Sequence, residues 1–331
     1  MENINVRCEK EKRMPLEYDK NIYHGFLVQG NLREAIKYLQ QFPAKKALCD
    51  KYFSRFEEEK YLTFEEDSYL NGLLVCYQKY YRDVFYLGME KEKAAEHMRE
   101  RLTAFLGIAD ADMDETEEQV KNAFAHRGFH FLGGKTGGFY GPYIWRVTEA
   151  RSYEVELPGG TAGYTVNLLD GFITRSWLDY ISFGETGTGG WTDGDGMINC
   201  VKESYDLEGE SFKVSLLKHE AQHAMDMARF ENMPSEDLEY RAKLVELIYS
   251  SQRNLLQKFL WEADGSGKEN GHSRAAARIA EGFMRKVCSC RKEMEALPIA
   301  EVQRVARALF AESEEEMPRN LKTAYTRTEH R

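Results

Sequence analysis

The chain has 331 residues, of which 42% are hydrophobic and 30% charged, and its net charge is −10. This composition is typical of a globular protein of roughly two domains and excludes disorder over the whole length. An acidic chain without a basic block is a poor ligand for nucleic acid, and no apolar run approaches the roughly 18 residues of a membrane helix. We therefore expect neither a nucleic-acid nor a membrane partner.

The six cysteines are scattered along the chain, and no apolar segment of a secretory signal follows the charged N-terminal residues. In a chain of this size, such spacing favours reduced thiols over a disulfide framework. We therefore expect a cytoplasmic protein with free thiols. The cysteines are Cys8, Cys49, Cys76, Cys200, Cys288 and Cys290.

The first third of the chain has the apolar periodicity of helices, because apolar residues recur every three to four positions. The predicted helices are Asn31–Gln41, Ser68–Leu87 and Lys91–Leu106. They would pack as an all-α N-terminal bundle domain spanning residues 1–109. The acidic stretch Asp110–Glu118 marks the predicted domain boundary and the start of a helix that runs to about Ala125.

The remaining residues, 110–331, form the second predicted domain, in which a strand-rich part precedes a helical part. Residues 125–205 are rich in glycine, with short β-type runs that predict a small, mostly antiparallel sheet. The predicted strands are Tyr143–Val147, Tyr153–Leu157, Tyr164–Leu168 and Met197–Val201. Residues 211–315 have a helical pattern. The predicted helices are Ser211–Arg229, Ser235–Phe259, Ser273–Ala296 and Ile299–Glu312. The predicted fold class is therefore α+β.

The most informative motif is His219-Glu220-Ala221-Gln222-His223, which has the form H-E-x-x-H. Chance predicts roughly 0.02 matches in a chain of this composition. The flanking segments contain neither glycine nor proline, so the motif lies inside a predicted helix, where residues four apart share a face. His219 and His223 can then bind one zinc ion, while Glu220 lies about 100° round the helix, placed to take a proton from water.

A catalytic zinc site needs a third protein ligand and one open position. A second helix, with Ser235 as a good N-cap, carries Glu239 at 16 positions after His223. Glu239 is therefore the preferred third ligand. Glu246, seven residues further along nearly the same stripe, and Glu236 remain alternatives.

A helix with H-E-x-x-H followed by a glutamate on the next helix resembles the gluzincin group of zinc metallopeptidases, to which thermolysin belongs. The resemblance implies a zincin-like catalytic domain with a strand-rich half, the active-site helix and a helical half. It also implies peptide-bond hydrolysis, with zinc held by His219, His223 and Glu239 and with Glu220 activating water. One departure is Lys243, which stands where thermolysin-like enzymes have Asp, four positions after the third ligand.

The other types of zinc hydrolase fit less well. Metzincins need glycine three and histidine or aspartate six positions after the second motif histidine, where this chain has Asp226 and Arg229. Peptide deformylases use a cysteine ligand in a distinct upstream segment, which the surroundings of Cys200 do not match. The gluzincin resemblance is therefore preferred.

Several further residues are predicted to have supporting roles. Asp226 either orients a metal-bound histidine or pairs with Arg229. The segment Gly189-Gly190-Trp191 either forms an edge strand that pairs with an extended substrate or belongs to a surface loop. The candidates for stabilising the transition state are Tyr240, Tyr249 and His272.

The predicted cofactor is Zn²⁺, and the predicted partner is a peptide or protein substrate. Zinc-dependent hydrolysis of peptide bonds is the preferred function. Two alternatives stay open: hydrolysis of another amide or ester at the same zinc, and a peptide- or protein-binding module with a structural or inactive zinc site. The complete motif argues against the binding module, because a structural zinc site fills all four positions and does not need Glu220.

Overall fold

The computed structural model describes residues 17–64, 67–109, 111–193, 196–230, 232–264 and 271–316. Contacts between residues divide the chain into two units, of which the first ends at Lys60 and the second begins at Tyr61. Some of the helices that precede residue 110 therefore share a unit with the strands. The predicted boundary at residue 110 concerns independent folding and stays a prediction.

The first unit is helical. Its helices are α1 (Lys20–Val28), α2 (Leu32–Leu39) and α3 (Lys46–Tyr52). The side chain of Asp19 caps α1 by accepting a hydrogen bond from the N–H of Asn21. Tyr23 and Tyr52 are both buried, and their hydroxyl groups hydrogen-bond each other at 2.6 Å. Each phenol therefore has a polar partner inside the core.

The second unit opens with α4 (Ser68–Tyr81), α5 (Lys91–Leu106) and α6 (Met113–Ala125). The predicted helix Lys91–Leu106 is confirmed over its full length, and Gly107 ends it in the left-handed conformation. The acidic stretch begins α6 with a capping box. Asp112 accepts a hydrogen bond from the N–H of Glu115, and the Glu115 side chain accepts one from the N–H of Asp112.

Short strands follow α6. They are β1 (His130–Leu132), β2 (Lys135–Thr136), β3 (Phe139–Tyr140), β4 (Tyr143–Trp145), β5 (Val147–Leu157), β6 (Gly160–Asp170), β7 (Thr174–Arg175), β8 (Gly190–Thr192) and β9 (Ile198–Val201), with α7 (Ser176–Ile181) between β7 and β8. The largest sheet has the order β5-β6-β9-β8, so β8 is an edge strand. Only β6 and β9 run parallel in it, which confirms the prediction of a mostly antiparallel sheet.

Helices form the C-terminal part. They are α8 (His219–Arg229), α9 (Ser235–Tyr249), α10 (Asn254–Asp264), α11 (Gly271–Lys286), α12 (Arg291–Glu295) and α13 (Ile299–Glu316). The prediction of one helix over Ser235–Phe259 is wrong, because the backbone is extended at Ser250. The carboxylate of Glu210 holds this turn by accepting hydrogen bonds from the Ser250 hydroxyl (2.7 Å) and the Ser251 N–H (2.8 Å). The predicted helix Ser273–Ala296 is likewise two helices, α11 and α12.

One apolar core joins the largest sheet to the C-terminal helices. It contains Val166 and Ile198 from the sheet together with Phe212, Leu244 and Leu309 from the helical part. The mixed α+β class is thus confirmed, while the zincin-like assignment stays a prediction. None of the described helices has both the length and the apolar character that crossing a bilayer requires.

The capping box of α6 gives a stability prediction. Asp112→Ala removes the acceptor for the Glu115 N–H, so we expect the free energy of unfolding to fall by about 1 kcal/mol. Urea denaturation measures the loss. Asp114→Ala, which removes a charge from the same first turn but no capping bond, should cost less; equal losses for the two variants would contradict the assignment.

Candidate metal centre

The H-E-x-x-H residues occupy the first turn of α8. The preceding residues Ser211–Lys218 form a wider, π-type helical segment that continues into α8. Phe212 and Leu216 of this segment are buried in the core, which fixes the start of α8 against the sheet. Segments of this type are frequent at functional sites. The local structure therefore presents His219 and His223 from a firmly packed helix.

Three side chains bring possible metal-binding atoms together: His219 and His223 from α8, and Glu239 from α9. The Nε2 atoms of the two imidazoles are 3.0 Å apart, and oxygens of Glu239 lie 3.6 Å from Nε2 of His219 and 3.5 Å from Nε2 of His223. Ligand atoms about 2.0–2.1 Å from a tetrahedral zinc ion lie about 3.3–3.4 Å from each other. The observed spacing therefore fits one zinc ion.

The charge of the site also fits a metal. Glu220 and Glu246 are buried, and the Glu239 side chain is 12% exposed. Carboxylates are costly to bury unless positive charge compensates them. A divalent cation among these carboxylates would supply it.

Glu246 stands behind the group of three, because it contacts the other nitrogen of the first histidine. Its Oε1 accepts a hydrogen bond from Nδ1 of His219 at 2.7 Å. This bond places the proton on Nδ1 and leaves the lone pair of Nε2 free for a metal. Glu236, the other alternative for the third ligand, pairs with Arg274 of α11 at 2.7 Å. The structure thus brings Glu239, the preferred residue, to the two histidines.

Both inward carboxylates are held in the ionised form. Burial opposes the charge of Glu239, but the nearby imidazoles of His223, His272 and His219 outweigh burial and hold the pKa of Glu239 well below its usual range. Burial also opposes the charge of Glu246, where the hydrogen bond and charge of His219 lower the pKa. Glu239 and Glu246 are therefore anionic acceptors at neutral pH.

Glu220 contacts the edge strand β8. The hydroxyl of Thr192 donates a hydrogen bond to Oε2 of Glu220 at 2.8 Å. Gly190 allows the close packing of this strand, because a Cβ atom there would lie 2.6 Å from the carbonyl oxygen of Asn199 and would clash with the Leu216 side chain. The carboxylate of the motif is therefore fixed beside an unpaired strand edge.

Two further predicted features, His272 and the segment Gly189-Gly190-Trp191, lie at the site. The Nδ1 atom of His272, from α11, is 2.8 Å from Oε2 of Glu239. Gly189 precedes β8, and Gly190 and Trp191 are its first two residues, so the segment is an edge strand. His272, Gly189 and Gly190 also line a cavity with the motif residues.

Tyr240 and Tyr249 lie elsewhere on α9. The guanidinium carbon of Arg278 is 4.0 Å from the centre of the Tyr240 ring, and the Lys218 ammonium is 3.9 Å from that of Tyr249. The structure therefore does not bring either tyrosine to the histidines, and among the three candidates for stabilising the transition state only His272 contacts the group of three.

Asp226 has neither of its two predicted partners. Its fully buried carboxylate accepts hydrogen bonds from Nε (2.7 Å) and Nη2 (2.9 Å) of Arg241, which is also fully buried. Arg229 pairs instead with Glu314 of α13 at 2.9 Å, and Arg241 also donates to Glu314 and to Ser313. Asp226 lies on α8 and Arg241 on α9, two residues after Glu239. Their ion pair therefore holds α8 against α9, and the bonds to Ser313 and Glu314 hold α13 against both.

Two residues of the site could not be identified from the sequence. Thr192 directly follows the Gly-Gly-Trp segment, but only the fold reveals that its hydroxyl reaches Glu220. Tyr205 lines the cavity beside the motif, and burial raises its pKa to about 12, so it remains a neutral donor. It lies after β9 in a segment with no recognisable pattern, and no sequence signal marks it.

Comparisons of the chain with protein-family profiles, with curated proteins and with solved structures give no match. A function is therefore inferred from the chemistry of the site itself.

The buried pair between α8 and α9 gives a second prediction. Arg241→Met leaves Asp226 as an uncompensated buried charge, so the free energy of unfolding should fall by about 3–5 kcal/mol. The double variant Asp226→Leu/Arg241→Met removes both charges and should be clearly more stable than Arg241→Met alone. Chemical denaturation of both proteins makes the comparison, and a double variant no more stable than the single one would refute the pairing.

Proposed function

We propose that the chain is a zinc-dependent hydrolase of peptide bonds with a zincin-like catalytic domain. The observation that supports this most is the convergence of His219, His223 and Glu239 at the spacing of zinc ligands, next to the buried carboxylate of Glu220. Among the described residues, the group has three members, which is the number that a catalytic zinc site takes from the protein.

Zinc held by these three side chains would supply positive charge that acidifies water and polarises a carbonyl group. The chain's own residues carry the proton. Glu220, fixed by its bond to Thr192, takes a proton from the attacking water and delivers it to the leaving amine. Tyr205 and His272 line the same cavity. The neutral hydroxyl of Tyr205 is a donor that can stabilise the developing negative charge on oxygen, whereas Nδ1 of His272 faces Glu239.

The edge strand gives an extended substrate a place to bind. Among the described residues, strand β8 pairs with β9 alone, so the backbone groups on its other edge can pair with an added strand. The same strand carries Thr192, which holds Glu220. A peptide paired with β8 would therefore pass beside the carboxylate that activates water.

The role of Glu220 is tested by Glu220→Gln, which keeps the shape and the bond to Thr192 but removes the proton acceptor. We expect hydrolysis to fall by about 10²–10⁴-fold with zinc content unchanged. Fluorogenic peptides measure the rate, and mass spectrometry measures the metal.

Glu208→Gln is the matched control, because Glu208 is exposed on a loop and, within the described ranges, forms an ion pair with Lys213 alone. It should leave rate and zinc content unchanged. Full activity in Glu220→Gln would sink the assigned role. Small amides and esters tested beside the peptides separate peptide hydrolysis from the other hydrolase chemistry, since cleavage of the small substrates alone would contradict the peptidase proposal.

A further inference from the structure

A cavity of about 400 Å³ opens beside the first turn of α8. His219 and Glu220 line it. Another part of its wall comes from α9, α10 and the turn between them. It includes Lys243, Gln252, Asn254, Lys258 and Glu262. A substrate group next to the scissile bond would therefore meet these side chains.

The carboxylates of this cavity already have partners. Glu220 accepts a hydrogen bond from Thr192 at 2.8 Å, and Glu246 accepts one from His219 at 2.7 Å. Glu262 accepts one from Lys243 at 2.7 Å. Each of these carboxylates therefore already accepts a hydrogen bond from the protein itself.

The uncommitted groups are donors. The Lys243 side chain is only 5% exposed and has three N–H groups, of which one bonds Glu262; its ammonium also lies 4.3 Å from the centre of the Phe259 ring. Lys258 is exposed and has no ion pair or hydrogen bond with any described residue. The side-chain amides of Gln252 and Asn254 add further N–H groups. The cavity therefore has more hydrogen-bond donors than its own carboxylates use.

We propose that this cavity binds a carboxylate of the substrate, with Lys258 and Lys243 as the residues that determine specificity. The inference rests on the proposed function, since it assigns a substrate class to the same site. The carboxylate belongs either to an acidic side chain next to the scissile bond or to the C-terminus of the substrate. Both present the same anionic oxygens to the two ammonium groups.

The test uses the full chain and peptide analogues in which a methyleneamine replaces the scissile amide, so that none is cleaved. One pair differs by Glu against Gln after this bond, and a second pair by a free against an amidated C-terminus. Calorimetry at fixed ionic strength should give about 10-fold tighter binding for the acidic member of one pair, in the range expected for a charge-assisted hydrogen bond. The pair that shows the preference identifies the source of the carboxylate.

Lys258→Gln removes one of the two ammonium groups and should remove most of this preference. Because Lys258 is exposed, the substitution does not disturb the core. Lys121→Gln, which makes the same charge change on an exposed face of α6, should retain it. Lys243→Met, checked for a normal melting transition, should weaken the acidic analogue selectively. Equal affinities in both pairs, no binding of either acidic analogue at millimolar concentration, or a preference that survives both cavity variants would overturn the inference. Because no analogue is cleaved, the binding test does not depend on turnover. If the chain does not hydrolyse peptides, the turnover assay shows that separately.

Discussion

The buried ion pair between Asp226 and Arg241 fixes the two helices on which the candidate metal centre depends. Asp226 is three residues after His223, and Arg241 is two residues after Glu239. Both side chains are fully buried, and the two hydrogen bonds between them leave little freedom of angle. Sliding or rotating α8 against α9 would break this pair, so the histidines and the glutamate keep their spacing.

The same pair connects the centre to the end of the described chain. Arg241 also donates to Ser313 and Glu314 of α13, and Glu314 accepts from Arg229 of α8. A buried ion pair is not strong evidence of stability, because desolvation offsets much of its attraction. Its clear structural consequence is alignment: the consecutive helices α8 and α9 meet α13, which is distant in sequence, at one set of charges.

Spacing along a helix explains how much of the site could be predicted. His219, His223 and Glu239 follow from the motif and from the predicted start of the next helix, which are both local signals. The predicted N-cap itself is wrong, because Ser235 is the first residue of α9 and Pro234 precedes it without a side-chain capping bond. Glu246 could be predicted as an alternative ligand, because it is an acid on the same helix as Glu239. Its contact with Nδ1 of His219, however, depends on how the two helices cross. Thr192 is 28 residues away from Glu220, and only the sheet brings it there. Such long-range contacts leave no pattern in a single sequence.

The helix boundaries show the same limit. Residues 235–259 have an unbroken helical pattern, and the chain nevertheless turns at Ser250, because Glu210 from a distant segment holds the serines. The departure at Lys243 has a similar explanation. Its ammonium pairs with Glu262 in the wall of the cavity, while Glu246, three residues later, provides the carboxylate that contacts the imidazole. In both cases tertiary contacts, and not the local sequence, determine the structure.

The zinc content of the purified chain, measured by mass spectrometry on wild type, Glu239→Ala and Glu246→Ala, tests the metal centre most directly. We expect about one zinc per wild-type chain, loss of zinc in Glu239→Ala, and retained but roughly 10–100-fold weaker binding in Glu246→Ala, as for residues that orient a metal ligand. Wild-type protein without zinc after reconstitution, or Glu239→Ala that binds zinc as well as wild type, would contradict a zinc site formed by His219, His223 and Glu239.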